Sequence, residues 1–180
     1  MGRTVLFFLF LVAAGAVMAG GERPVYLLDG TGQRVQIASL RVAPDGSYDL
    51  TMANAPFTDH FLSMRPFKCL EGPEKHWCHV PYPYPNARNI SVDFVDLEYD
   101  LLFLWKGATD YGIDTWNGIY YVLTKDGAAL VGAAHEIDLS QLAVPPQAGD
   151  MRPVSAEDLH ETDPDSHRLP RLEIPAADAG

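Results

Sequence analysis

Basic residues are scarce in this chain: 13 lysines and arginines stand against 24 aspartates and glutamates, for a formal net charge of −11. No basic stripe interrupts that excess, so a nucleic-acid surface is excluded and an anionic membrane face is disfavoured. Cysteine is scarcer still, with two residues, and their C-x8-C spacing is not the C-x2-4-C pairing of ordinary structural zinc sites. A nucleophile elbow G-x-S-x-G, a P-loop, a G-x-G-x-x-G opening a helix and H-E-x-x-H are all missing. His135-Glu136 begins like the last of these, but Leu139 stands where its second histidine belongs. No cofactor fingerprint is left, and no catalytic residue can be assigned.

What is present begins at the N-terminus. Arg3 supplies a positive region, VLFFLFLVAAGAV an apolar run of 13 residues, and Val17-Met18-Ala19 a small-residue cleavage site. The run is shorter than the ~20 residues a membrane span needs, and no charged stop-transfer block follows it. Residues 1–19 therefore read as a secretory signal peptide, with a mature chain starting near Gly20 in the periplasm or outside the cell. The absence of a cysteine after the cleavage site argues against a lipid anchor. The 161 residues that remain suit one domain.

The stretch Asp59–Pro85 holds both cysteines, three of the six histidines and five prolines, and the rest of the chain is expected to be organised around it. Cys69 and Cys78 flank Gly72-Pro73, which is turn chemistry, so the spacing suits an antiparallel hairpin with the two sulfurs facing each other. Export into an oxidising compartment favours a disulfide. The competing reading is metal capture by Cys69, His76, Cys78 and His79. On a strand His76 and Cys78 point one way and Trp77 and His79 the other, so the two histidines do not share a face. Adding His60, His160 or His167 could rescue such a site. The following Pro81-Tyr82-Pro83-Tyr84-Pro85 cannot continue a ladder and should form a stiff, polyproline-like strap.

Elsewhere the pattern is of short strands and tight turns. Val25–Leu28, Arg34–Val42 and Ser47–Met52 read as a meander, punctuated by Asp29-Gly30-Thr31-Gly32 and Ala43-Pro44-Asp45-Gly46 and broken at Asn54-Ala55-Pro56. Phe61–Leu70 and Lys75–Val80 are the arms of the cysteine hairpin. Ser91–Trp105 fits both periods, and its reading is a helical turn followed by a strand from about Glu98 to Lys106. Were the stretch a strand throughout, Asp96, Glu98 and Asp100 would line one solvated face. Gly118–Thr124 and Ala128–Ile137 flank Asp126-Gly127, a hairpin signal. Residues 145–180, with six prolines and eight acids against three arginines, read as an acidic tail, extended over the body or partly disordered, with a capping-box-like Ser155–Asp158. The expected fold is mainly β: about eight strands in a small antiparallel barrel or sandwich spanning 20–144, with one or two short helical turns, the alternative being an α+β sheet covered by a helix from the Ser91 region.

Tyr82 and Tyr84 in the strap, with Tyr111 and Trp116 in the loop Gly107–Asn117, are the candidate ligand-binding residues, because an apolar ring with a polar tip suits a ligand groove. Asp110 or Asp114 with a histidine is the alternative, a hydrolase. Finally, SMRPFKCLEG, WCHVPYPYPN, DLEYDLLFLWK and YGIDTWNGIYYVL together resemble exported bacterial proteins of unknown function over Phe61–Leu142, a resemblance that implies no activity. A looser similarity to lipocalin-like barrels rests on strand rhythm and Trp116–Tyr121. The expectation is a non-catalytic exported protein that binds a small ligand, an envelope component or a protein partner.

Overall fold

A computed structural model describes residues 21–62, 65–146, 151–163 and 167–177. The signal-peptide reading and its cleavage site fall outside the described residues. Eleven strands form one antiparallel sheet: β1 (Arg23–Leu28), β2 (Arg34–Val42), β3 (Tyr48–Met52), β4 (Thr58–Phe61), β5 (Pro66–Leu70), β6 (Lys75–His79), β7 (Phe103–Gly107), β8 (Gly118–Asp126), β9 (Ala129–Ile137), β10 (His160–Glu161) and β11 (Arg171–Ile174). The only helix of α type among the described residues is α1 (Val95–Asp100). The spatial order is β3-β2-β1-β11-β9-β8-β7-β6-β5-β4, with β10 beside β9.

That order forces the sheet to curl. Ten strands at about 4.8 Å spacing would stretch roughly 43 Å if laid flat. Yet the two edge strands, β3 and β4, are consecutive in the chain and joined by residues 53–57 alone. Such a connection reaches at most about 20 Å. The edges are therefore drawn toward each other and the sheet is a half-barrel.

Side-chain alternation then sorts the core into two faces. Val25, Leu27, Ile37, Leu40, Trp77, Phe103, Ile119, Tyr121 and Leu172 fill one cluster, inside the curl. Cys69, Cys78, Leu104, Tyr120 and Ile137 belong to a second cluster, on the outside of the β5–β9 half. Neighbours in sequence, such as Trp77 and Cys78 or Tyr120 and Tyr121, fall in different clusters, as the period of two requires.

The meander is present as read: Arg34–Val42 is β2 to the residue, and Gly46 turns the chain into β3 at φ +85, a conformation that glycine adopts without strain. Several readings are corrected. Phe61–Leu70 is two strands, Phe61 ending β4 and Pro66 opening β5 at a first strand position, where a missing N–H is tolerated. The expected strand from Glu98 is the last part of α1, and β7 starts only at Phe103. The helix inserts Leu97 and Leu101 into the inner cluster and Tyr99 into the outer one.

Residues 145–180 are more than a cover. They supply β10 and β11, and β11 lies between β1 and β9, so the sheet does not end at residue 144. Leu172 and Ile174 are buried there despite the acidic surroundings. Arg23 fastens the end of that strand: its guanidinium donates to the carbonyls of Pro175 at 2.7 Å, Ile174 at 3.0 Å and Ala128 at 3.0 Å. Ser155 N–H and its hydroxyl both donate to Asp158 Oδ2, at 2.8 and 2.7 Å, so the capping-box reading of Ser155–Asp158 is present.

Candidate functional site

The outer face of the β5–β9 half is where polar and aromatic side chains gather. Cys69 and Cys78 are directly paired in the β5–β6 register and joined as a disulfide, so the thiols are not available as metal ligands. That overturns the metal-capture reading built on them. His76 and His79 are also separated. His79 Nε2 lies 3.0 Å from the Asp100 carbonyl and its ring packs on Phe103, whereas His76 accepts the Gly72 N–H on Nδ1.

The strap crosses this face with its prolines outward and Tyr82 and Tyr84 half-buried. Tyr82 packs on Tyr99 of α1 at 4.5 Å between ring centroids, and Tyr84 stands edge-on to Tyr82 at 5.5 Å. The Tyr82 hydroxyl donates to the Met151 carbonyl at 2.7 Å, and the Tyr99 hydroxyl receives the Val154 N–H at 2.8 Å. Strap, helix and the returning chain at 151–154 thus enclose a surface cavity of about 310 Å³, lined by Tyr82, Pro85, Ala87, Asp96, Tyr99 and Arg152 among others. That is near the lower limit for a small-molecule site.

Asp96 and Glu98 are not solvated; only 4 % and 6 % of their surface is accessible. The reason is partners drawn from far along the chain. Arg152 reaches Asp96 Oδ1 at 2.7 Å through Nη2 and Asp93 Oδ2 at 2.9 Å through Nη1, and the Asn89 N–H donates to Asp96 Oδ2. Burial works against the Arg152 guanidinium, and its bonds to the two carboxylates more than offset this, so its pKa ends above the ordinary arginine value.

Glu98 has a different task. Only Gly118 and Ile119 of β8 pair with β7, which leaves the rest of that strand edge open. Helix α1 covers it, and Glu98 takes the place of a strand partner, accepting the Leu123 N–H on Oε1 at 2.7 Å and the Tyr120 hydroxyl on Oε2 at 2.6 Å. Burial raises the pKa of the Glu98 carboxyl above the ordinary glutamate range, although those two bonds pull it down. The Tyr120 hydroxyl is pushed up in turn, first by burial and then by the Glu98 charge. Asp100, the third acid, receives the Tyr48 hydroxyl at 2.9 Å and Arg88 Nε at 3.1 Å. The three acids are therefore structural partners: the buried Asp96 ties the helix to the C-terminal segment, the buried Glu98 ties it to β8, and the half-buried Asp100 ties it to β3 and Arg88.

Tyr111 and Trp116, the other two candidate residues, project outward and are 103 % and 72 % exposed. Neither lines the strap cavity. The carboxylates of the hydrolase alternative are held by their own turns: Asp110 Oδ2 accepts the Gly107 N–H and Asp114 Oδ1 the Trp116 N–H. Neither meets a histidine among the described residues. The sequence reading missed Asp96, Tyr99 and Arg152 as cavity residues. Strict alternation in 95–101 concealed the first two, and nothing near Arg152 in sequence signals that it folds back onto α1.

The fold and site define a class, a curled antiparallel β protein with a disulfide-linked hairpin and an aromatic cavity on its outer face. No family model matches the chain, and comparison with curated proteins and with solved structures finds no match. The resemblance to exported bacterial proteins and the similarity to lipocalin-like barrels therefore rest on the sequence alone. Among the described residues, no helix is long and apolar enough to cross a membrane.

Proposed function

We propose that this is an exported, non-catalytic binding protein that holds a small planar organic ligand in the cavity between the strap and α1. The observation that carries the reading is the convergence of two tyrosine rings, Tyr82 and Tyr99, with the Asp96–Arg152 ion pair around one recess of about 310 Å³. The half-buried Tyr82 ring presents a stacking wall, backed by the buried Tyr99, and the Arg152–Asp96 pair supplies polar atoms that fix orientation. Larger recesses lie near the β8–β9 turn and beside β10, but neither combines two aromatic rings with an ion pair. Export is supported by the N-terminal sequence pattern and by the disulfide, a bond that persists in oxidising compartments.

A second reading is favoured by the full exposure of Tyr111 and Trp116: that loop contacts an envelope component or a protein partner. Ligand-observed NMR with a library of small aromatic and heteroaromatic compounds tests the first. Compounds that bind the wild type and are released by Tyr82→Ala, but not by the double change of Tyr111 and Trp116 to alanine, support it. Absence of any binder, or binding that survives Tyr82→Ala, removes it.

A further inference from the structure

We propose that His60, Glu71 and His76 form a site for a divalent transition-metal ion of the zinc class, on the outer face beside the disulfide. The three residues come from three neighbouring parts of the sheet: His60 from β4, Glu71 from the residue after β5, and His76 from β6. In the register, Thr58 pairs with Cys69 and Cys69 with Cys78. His60 and His76 are each two residues along their strand from a member of that row, so alternation puts them on the face that carries the two sulfurs, and the His60–Glu71 ion pair brings the residue after β5 to them. The cysteines contribute no ligand; their bond ties β5 to β6 next to the two positions that do.

The donor atoms already converge. One ligand atom from each of the three lies within 4.8 Å of the other two. His60 Nε2 is 3.0 Å from Glu71 Oε1, and the two imidazole rings are 5.0 Å apart, tilted by 54°. A tetrahedral ion with bonds of about 2.0–2.1 Å holds its ligands roughly 3.3 Å from one another, so small side-chain rotations suffice. Two imidazole nitrogens and one carboxylate oxygen suit zinc, cobalt, nickel or copper better than magnesium or calcium, and leave a coordination position for water.

The surroundings cut both ways. Burial, then the charges of His60 and Lys106, lower the His76 pKa, with Glu71 opposing and Arg168 adding to the lowering. Lys106 faces His76 across the β6–β7 register, its ammonium on the Gly107 carbonyl at 2.8 Å, and Arg168 donates to the Leu70 carbonyl at 3.3 Å. These cations weaken attraction for a metal ion and favour an anionic fourth ligand. The ion must also displace the Gly72 N–H, which donates to His76 Nδ1 at 3.2 Å. This site is separate from the strap cavity, and its test does not depend on the ligand there.

The test uses full-length mature protein with the disulfide intact, stripped by a chelator and titrated with zinc by calorimetry and with cobalt by visible absorption. The variants are His60→Ala and Glu71→Gln, both at partly exposed side chains, checked for an unchanged circular dichroism spectrum. The wild type is expected to take up one ion per chain, with affinity weakened at least about tenfold in each variant. His135→Ala, on another strand, should bind as the wild type does. Lack of saturable uptake by the wild type, or unchanged affinity in either variant, overturns the site.

Discussion

The two faces of the half-barrel are built on different principles. Inside the curl the side chains are almost wholly apolar, and one polar chain is closed off there: Trp77 Nε1–H donates to the Tyr121 hydroxyl at 3.1 Å, which donates to the Leu169 carbonyl at 2.8 Å. Outside, the same strands present a disulfide, two histidines, a tyrosine-rich strap and an ion-pair network. A sheet with both faces covered has only one that must be apolar, and the other can carry chemistry because a rigid inner core holds it in place. The inner face is the apolar core, whereas the outer face carries the strap cavity and the polar clusters.

That division can be broken at several strengths. The largest effect is expected from Leu172→Asp, which puts a charge into the inner core on the strand that joins β1 to β9. An unpaired buried carboxylate costs several kcal/mol, about the whole stability of a domain of this size, so near-ultraviolet circular dichroism of the native fold should vanish. On the outer face, replacing Cys69 and Cys78 together by serine should lower unfolding stability by about 2–3 kcal/mol, read by urea denaturation, and leave a folded protein. If the serine variant fails to fold, the outer face is as essential as the inner one.

A finer comparison concerns the acid that bridges the two faces. Glu98 has a folded-state pKa above its ordinary value of 4.5, so the native state holds its proton more tightly than the unfolded chain does. Its contribution therefore declines as pH rises from about 4.5 through the raised value, and remains lower above it. Glu98→Gln carries no such charge. In urea denaturation at a series of pH values, stability of the variant relative to the wild type should rise across that window and then level off. A flat difference would show that burial of this carboxylate does not perturb it.

The meander and the cysteine hairpin were legible because their signals are local: alternation over Arg34–Val42, turn residues at Pro44-Asp45-Gly46, and two cysteines at hairpin distance. Helix α1 was legible as a helical turn but not in its extent, because Val95, Leu97, Tyr99 and Leu101 alternate with acids as a half-exposed strand would. What decides between the two is supplied by Tyr120, the Leu123 amide and Arg152, 22, 25 and 56 residues from the acids they bind. Strand β11 escaped for a related reason. Four residues in a proline-rich acidic stretch carry little strand signal, and only the open edges of β1 and β9 on either side make a strand of them. Likewise His60, Glu71 and His76 show no motif spacing, and their donor atoms come together only in the folded chain. Tyr82 was found from composition, while the cavity it lines needed Arg152 to return.

Amide hydrogen exchange on Tyr82→Ala against the wild type tests the division between the faces most directly. Removing that ring takes away the contact with Tyr99 and the bond to the Met151 carbonyl, and nothing from the inner cluster. The expected result is faster exchange confined to residues 82–87, α1 and 151–158, with the amides of β1, β8, β9 and β11 protected as before. Faster exchange throughout those four strands would contradict it, since the outer cover would then be part of the same cooperative core.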